Sequence, residues 1–283
     1  MTTEARDVDV GDGLRLHVTC SGTGPPLALL HGFTGSGATW ESLRAALDTR
    51  HTIIAIDLPG HGRSGAPDDP ARYALDRFAD DLVTVLDALG MDRIALLGYS
   101  LGGRAALRFA LRHPSRIVAL IVESASPGIA DAAERSSRRA ADDALAETIE
   151  RDGVESFVAW WERLPLWASQ ASLPEAARAR LHGQRLDNRP RGLANSLRGA
   201  GAGVDPPVFD RLATLDVPAL IIAGAVDEKY VAGGQQMATA LRAAHLAIVP
   251  DVGHATHLER PDAFAALVSG FLDRVAVMRG SWR

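Results

Sequence analysis

Lysine is almost missing from this chain: Lys229 is the only one among 30 basic residues, and the others are arginine. Cysteine is equally scarce. Cys20 stands alone, which excludes an intramolecular disulfide and any site built from several thiolates. No run approaches the roughly 18 apolar residues of a membrane-spanning helix, and the opening MTTEARDVDV has neither the basic start nor the apolar stretch of a secretory signal. An excess of positive charge is also lacking. Thirty-five acidic residues leave a formal net charge of -5, so no overall field draws nucleic acid or an anionic membrane. These absences lead us to expect a cytoplasmic protein with a small-molecule partner, no nucleic-acid partner and no membrane partner.

What is present is an ordinary globular composition, 47% hydrophobic and 23% charged over 283 residues, long enough to bury a sizeable core. Short apolar runs that read as strands alternate with longer helical patterns. The strand-like runs are PLALLH (26–31), TIIAID (52–57), RIALLGY (93–99), RIVALIVE (116–123), VPALIIAG (217–224) and AHLAIVP (244–250). Helices are expected near 38–47, 76–89, 101–112, 231–242 and 261–275. Continuous apolar strands between amphipathic helices indicate a parallel sheet covered on both faces, hence an α/β fold. DVDVGDGLRLHVTC instead alternates around a Gly-Asp-Gly turn and predicts an antiparallel hairpin at the sheet edge. Between 127 and 205 the strand-like runs vanish. This divides the chain into a core, 1–126 and 206–283, and a helical cap, 127–205.

GYSLGGR (98–104) carries the chemistry. Gly98-Tyr99-Ser100-Leu101-Gly102 is G-x-S-x-G at a junction of strand and helix, the context in which a strained turn exposes a nucleophilic serine. A serine hydroxyl needs a base, and an imidazole acts as that base when a third group fixes its tautomer. With the chain order serine, acid, histidine, Asp227 and His254 fill these roles, each just beyond a late strand. His257 is the rival histidine, and Asp251 and Glu228 are the rival acids. HGFTGSG (31–37) follows the first parallel strand, where the backbone N–H of Phe33, with that of Leu101, would form an oxyanion hole. DLPGHGRS (57–64) reads as a loop that shapes the site.

Arg104, four residues after Ser100, shares a helix face with it. A cation is disfavoured near a helix N-terminus, so something must compensate. Two readings stand: a salt bridge to a nearby acid, or a guanidinium aimed at a substrate carboxylate, which it can bind bidentately.

On these motifs the chain resembles the α/β-hydrolase family over essentially its whole length. The resemblance implies a mostly parallel eight-stranded sheet with helices on both faces and the cap inserted after strand six. Serine at the elbow counts against the branches whose nucleophile is a carboxylate. Together with GYSLGGR, the stretches ESASPGI, DEKY and FVAWWERLPLW resemble the 2-succinyl-6-hydroxy-2,4-cyclohexadiene-1-carboxylate synthases of menaquinone biosynthesis. That resemblance implies substrate carboxylates bound by Arg104, Arg138 and Arg185, with Arg135, Arg139, Arg189 and Arg191 as neighbouring alternatives. It also implies a pocket lined by Tyr99 and Trp161, elimination of pyruvate, and no metal or organic cofactor. The alternatives are a serine carboxylesterase or carbon-carbon bond hydrolase of acidic substrates and, from a different class, a ligand-binding receptor on the same fold.

Overall fold

The computed structural model describes residues 3–279. In chain order the first half comprises β1 (Glu4–Asp9), β2 (Arg15–Ser21), β3 (Pro26–Leu30), α1 (Glu41–Leu47), β4 (Thr52–Ile56), α2 (Leu75–Ala88), β5 (Ile94–Tyr99), α3 (Leu101–Arg112) and β6 (Ile117–Glu123). There follow α4 (Ala132–Trp161), α5 (Glu175–Leu186) and α6 (Pro190–Ala200). The second half is β7 (Ala219–Gly224), α7 (Glu228–Ala240), β8 (Ala244–Val249), α8 (Thr256–Glu259) and α9 (Pro261–Arg279).

The strands form one eight-stranded sheet in the order β1-β2-β4-β3-β5-β6-β7-β8. All neighbours from β4 to β8 pair in parallel, while β1–β2 and β2–β4 are antiparallel. This is the mostly parallel eight-stranded sheet that the resemblance implies, with three helices following β6. The expected hairpin is at the edge, turning through Gly11, Asp12 and Gly13, all at positive φ. Residues 37–40 form a 3-10 turn rather than the start of α1, and α9 extends beyond the expected 275.

β3, β5, β6 and β7 are buried at every position, which is why they read as unbroken apolar runs. Successive side chains nevertheless divide between two cores. Ala28 and Leu30 face the cluster containing Phe78 of α2 and Phe109 of α3, whereas Leu27 and Leu29 face Leu43 of α1 and Phe264 and Phe271 of α9. A third cluster joins Ile149, Phe157 and Val158 of α4 to Leu193 and Leu197 of α6. Within α4, Gly153 leaves helical geometry at φ 83°, ψ 172° and kinks the element. Among the described residues no helix is long and apolar enough to cross a membrane.

Candidate active site

The sheet delivers three side chains to its carboxyl edge. β5 ends at Tyr99, and Ser100 takes φ 52°, ψ -109° before α3 begins, a region costly for any residue with a Cβ. Two backbone bonds hold it there: Ser100 N–H donates to Glu123 O at 2.9 Å, and Arg104 N–H donates to Ser100 O at 3.1 Å. The flanking glycines are required by close approach. A Cβ on Gly98 would lie 2.1 Å from Gly102 O, and one on Gly102 would lie 2.2 Å from Leu30 O.

His254, in the loop after β8, places Nδ1 2.6 Å from Asp227 Oδ2 and Nε2 3.1 Å from Ser100 Oγ. An ionised carboxylate only accepts, so Nδ1 carries the proton and Nε2 is free to accept from the serine hydroxyl. Asp227 stands just past β7, at the start of α7. The rivals lie elsewhere. Asp251 and Glu228 are exposed, and His257 is buried against Glu123, its Nδ1 2.9 Å from both carboxylate oxygens. His17, His113 and His182 pair with Asp7, Asp80 and Glu162, and none of these three joins the relay.

Ser100 and His254 open on a cavity of about 280 Å³, also lined by Phe33, Tyr99, Leu101 and Trp161. Leu101 N–H is in the first turn of α3, where no intrahelical acceptor is available. Phe33 N–H has no backbone acceptor among the described residues. Burial pushes the Tyr99 phenol well above its ordinary range, so it enters chemistry as a neutral donor.

Arg104 lines the same cavity, yet it is also paired. Its guanidinium donates to Asp205 Oδ2 at 3.2 Å and to Ala200 O at 2.6 Å. Asp205 is shared, because Arg108 donates to its other oxygen from Nε at 3.0 Å and Nη2 at 2.8 Å. The two readings of Arg104 are therefore compatible: an acid holds it, and it still faces the cavity. Arg138 lines the cavity as well, with Nε 2.8 Å from Asp142 Oδ1.

Arg185 differs from Arg104 and Arg138: it is not among the residues lining this cavity but lies over the Trp167 ring, 5.2 Å from the centroid, in a neighbouring recess. Its guanidinium is engaged by Glu162 Oε1 at 2.9 Å, since a buried cation requires a carboxylate partner. The neighbouring alternatives Arg135, Arg139, Arg189 and Arg191 do not line the cavity either.

Several residues at the site escaped the sequence reading. Tyr230 packs against His254 with its ring tilted by 56°, 4.5 Å between centroids, and lines the cavity. Burial raises its phenol, against the opposing pull of Arg104 and Arg138. The available signal was its place one turn after Asp227 in DEKY. Trp167, 5.5 Å from His254, closes another side. Glu123, fully buried, was signalled by a lone charge ending an otherwise apolar strand. Asp205 had no local signal.

Comparison with known proteins bears on the family and the fold. Residues 25–261 match the family model of the alpha/beta hydrolase fold. Over 272 residues, 95% of this chain and 98% of the relative, the sequence is 42% identical to a Bacillus subtilis (strain 168) protein provisionally named 2-succinyl-6-hydroxy-2,4-cyclohexadiene-1-carboxylate synthase. The Serratia proteamaculans (strain 568) protein of that name is 35% identical over 249 residues, 88% of this chain and 93% of its own. Among solved structures, MenH from S. aureus aligns with a TM-score of 0.87 at 35% identity, covering 97% of this chain and 99% of that one.

Proposed function

The chain belongs to the α/β-hydrolase family, and from that premise we propose that it acts as a 2-succinyl-6-hydroxy-2,4-cyclohexadiene-1-carboxylate synthase, a pyruvate-eliminating lyase of menaquinone biosynthesis. The observation that supports this reading is the joining, in one cavity, of a relay able to take a proton with cations able to hold carboxylates.

The substrate in this reading is a cyclohexene bearing a ring carboxylate, a succinyl chain and an enolpyruvyl ether, three anionic groups in all. Arg104 and Arg138 bind two of them, and Tyr99, Tyr230 and Trp161 shape the space around the ring. Residues 127–205 serve as the cap. Ser100, its own proton passed to His254 Nε2, removes the ring proton next to the succinyl ketone. Asp227 keeps His254 in the tautomer that accepts the serine proton and stabilises the imidazolium formed.

Negative charge develops on the ketone oxygen, where the N–H groups of Phe33 and Leu101 receive it. The electron pair of the broken C–H bond then enters the ring, the ring double bond shifts, and the C–O bond to the enolpyruvyl group breaks. The departing enolate takes up the proton held on His254, which returns the imidazole to its neutral form, and tautomerises to pyruvate. A conjugated diene remains.

Incubation of the protein with the tricarboxylate, with pyruvate and diene absorbance followed beside Ser100→Ala and a blank for spontaneous elimination, tests this. We expect turnover well above the blank, falling by on the order of 1,000-fold or more in the variant, as for a triad member. A rate equal to the blank, with burst acylation of Ser100 by simple esters, would replace the lyase reading by the carboxylesterase one.

A further inference from the structure

Thr34 occupies a conformation that its side chain resists. Gly35 N–H donates to Gly32 O at 3.0 Å, closing a turn over Phe33 and Thr34, and Thr34 sits at φ 68°. That region suits glycine and is strained for a β-branched residue. The turn is the one that carries the Phe33 amide. Within the turn itself, the residue type at 34 works against the fold.

The restraint comes from a distant segment. Asn188, buried between α5 and α6, donates from Nδ2 to Thr34 O at 2.9 Å, to Arg185 O at 3.1 Å and to Gln184 O at 3.2 Å. Its Oδ1 accepts from Gly62 N–H at 3.4 Å. One side-chain amide thus joins the Phe33 turn, the end of α5 and the loop after β4. Gln184 is a second tie: with its amide oxygen toward the core it accepts from Ser36 N–H at 2.8 Å and Thr39 N–H at 3.1 Å, but it makes no bond to Thr34.

We propose that Asn188 is a positioning residue for the oxyanion hole: by gripping the Thr34 carbonyl it keeps the turn left-handed and the Phe33 amide presented beside Ser100. It touches no reacting atom. The proposal rests on the reading of Phe33 as an oxyanion donor, and it makes correct seating of the 127–205 segment a condition for full turnover.

A double-mutant cycle of Asn188→Ala and Thr34→Gly tests it, read by kcat and KM for pyruvate release and by the rate at which a fluorophosphonate labels Ser100. Asn188→Ala should lower kcat and the labelling rate by on the order of tenfold, with KM within about twofold. In the Thr34→Gly background the same change should cost less than about threefold, because glycine holds positive φ unaided. Gln184→Ala, which loosens the same seam but leaves the Thr34 carbonyl held, should keep both wild-type rates. Melting temperatures report folding, and Asn188→Ser replaces the alanine variant if the latter does not fold.

Equal losses in the two backgrounds, no loss in Asn188→Ala, or a matching loss in Gln184→Ala would each overturn the proposal. A labelling cycle that couples as expected, with no pyruvate released by any variant or by the wild type, retains the positioning role and removes the synthase reading. The two therefore fail separately.

Discussion

Arg104 shares the Asp205 carboxylate with Arg108, which also pairs with Asp76 Oδ1 at 3.7 Å. Asp205 holds Arg104 through a single 3.2 Å contact to one oxygen, so the guanidinium stays in place and still faces the cavity with donors for a substrate carboxylate. A charge-assisted hydrogen bond of about 1.5–3 kcal/mol predicts that Arg104→Ala lowers kcat/KM for the tricarboxylate by about 10- to 100-fold. Arg104→Lys should recover only part of this, since an ammonium cannot present a fork of donors. Initial rates over a range of substrate concentration check both variants. An unchanged kcat/KM would confine Arg104 to holding Asp205. Ser100, Asp227 and His254 were legible because each follows a strand end at a position set by chain order. Asp205 was not, because it meets Arg104 across 101 residues of chain. Arg185 was named by resemblance alone, and its place over the Trp167 ring had no signal in the sequence.

β3, β5, β6 and β7 were legible as elements because burial on both faces leaves them almost wholly apolar, Glu123 at the end of β6 being the exception. The seam between α6 and the loop after β4 was not, because it is made by glycines meeting across long separations. A Cβ on Gly192 would lie 2.1 Å from Gly60 O, and one on Gly199 would lie 2.0 Å from Pro70 O. Each contact is with backbone, which cannot swing aside as a side chain can. Asn195 strengthens the seam, donating from Nδ2 to Pro67 O and Asp68 O, both at 3.0 Å. Gly192→Ala should therefore destabilise the protein by about 1–3 kcal/mol, the usual cost of forcing extra volume into a packed contact. Calorimetry reads this as a lowered Tm. A Tm equal to that of the wild type would show that the loop yields freely.

At the scale of the whole molecule, stability should depend on pH through two histidines that no strand or helix pattern singles out. Burial depresses His31 to about 4 and His61, with a further push from His31, to about 3. The geometry agrees for His31: Nε2 accepts from Leu58 N–H at 2.9 Å, and Nδ1 donates to Gly32 O at 2.7 Å. A proton added at Nε2 would face the Leu58 N–H, so the folded chain refuses it. The unfolded chain accepts one on each ring near the ordinary value of about 6.5. Protons are therefore bound preferentially by the unfolded state, and stability is full above about pH 6.5 and declines as pH falls toward the folded values. Each histidine contributes a slope approaching about 1.4 kcal/mol per pH unit. Two of them give about 2.7 kcal/mol per pH unit below pH 6. Above about pH 5 an ordinary carboxylate is still mostly ionised, so this window isolates the histidines. Urea midpoints at pH 7.0, 6.0 and 5.2 should fall steadily, and His61→Phe should make the decline shallower, with His51, which burial also lowers, adding to what remains. A flat profile would mean that both rings take up their protons inside the fold, which for His31 would require the Leu58 backbone to move.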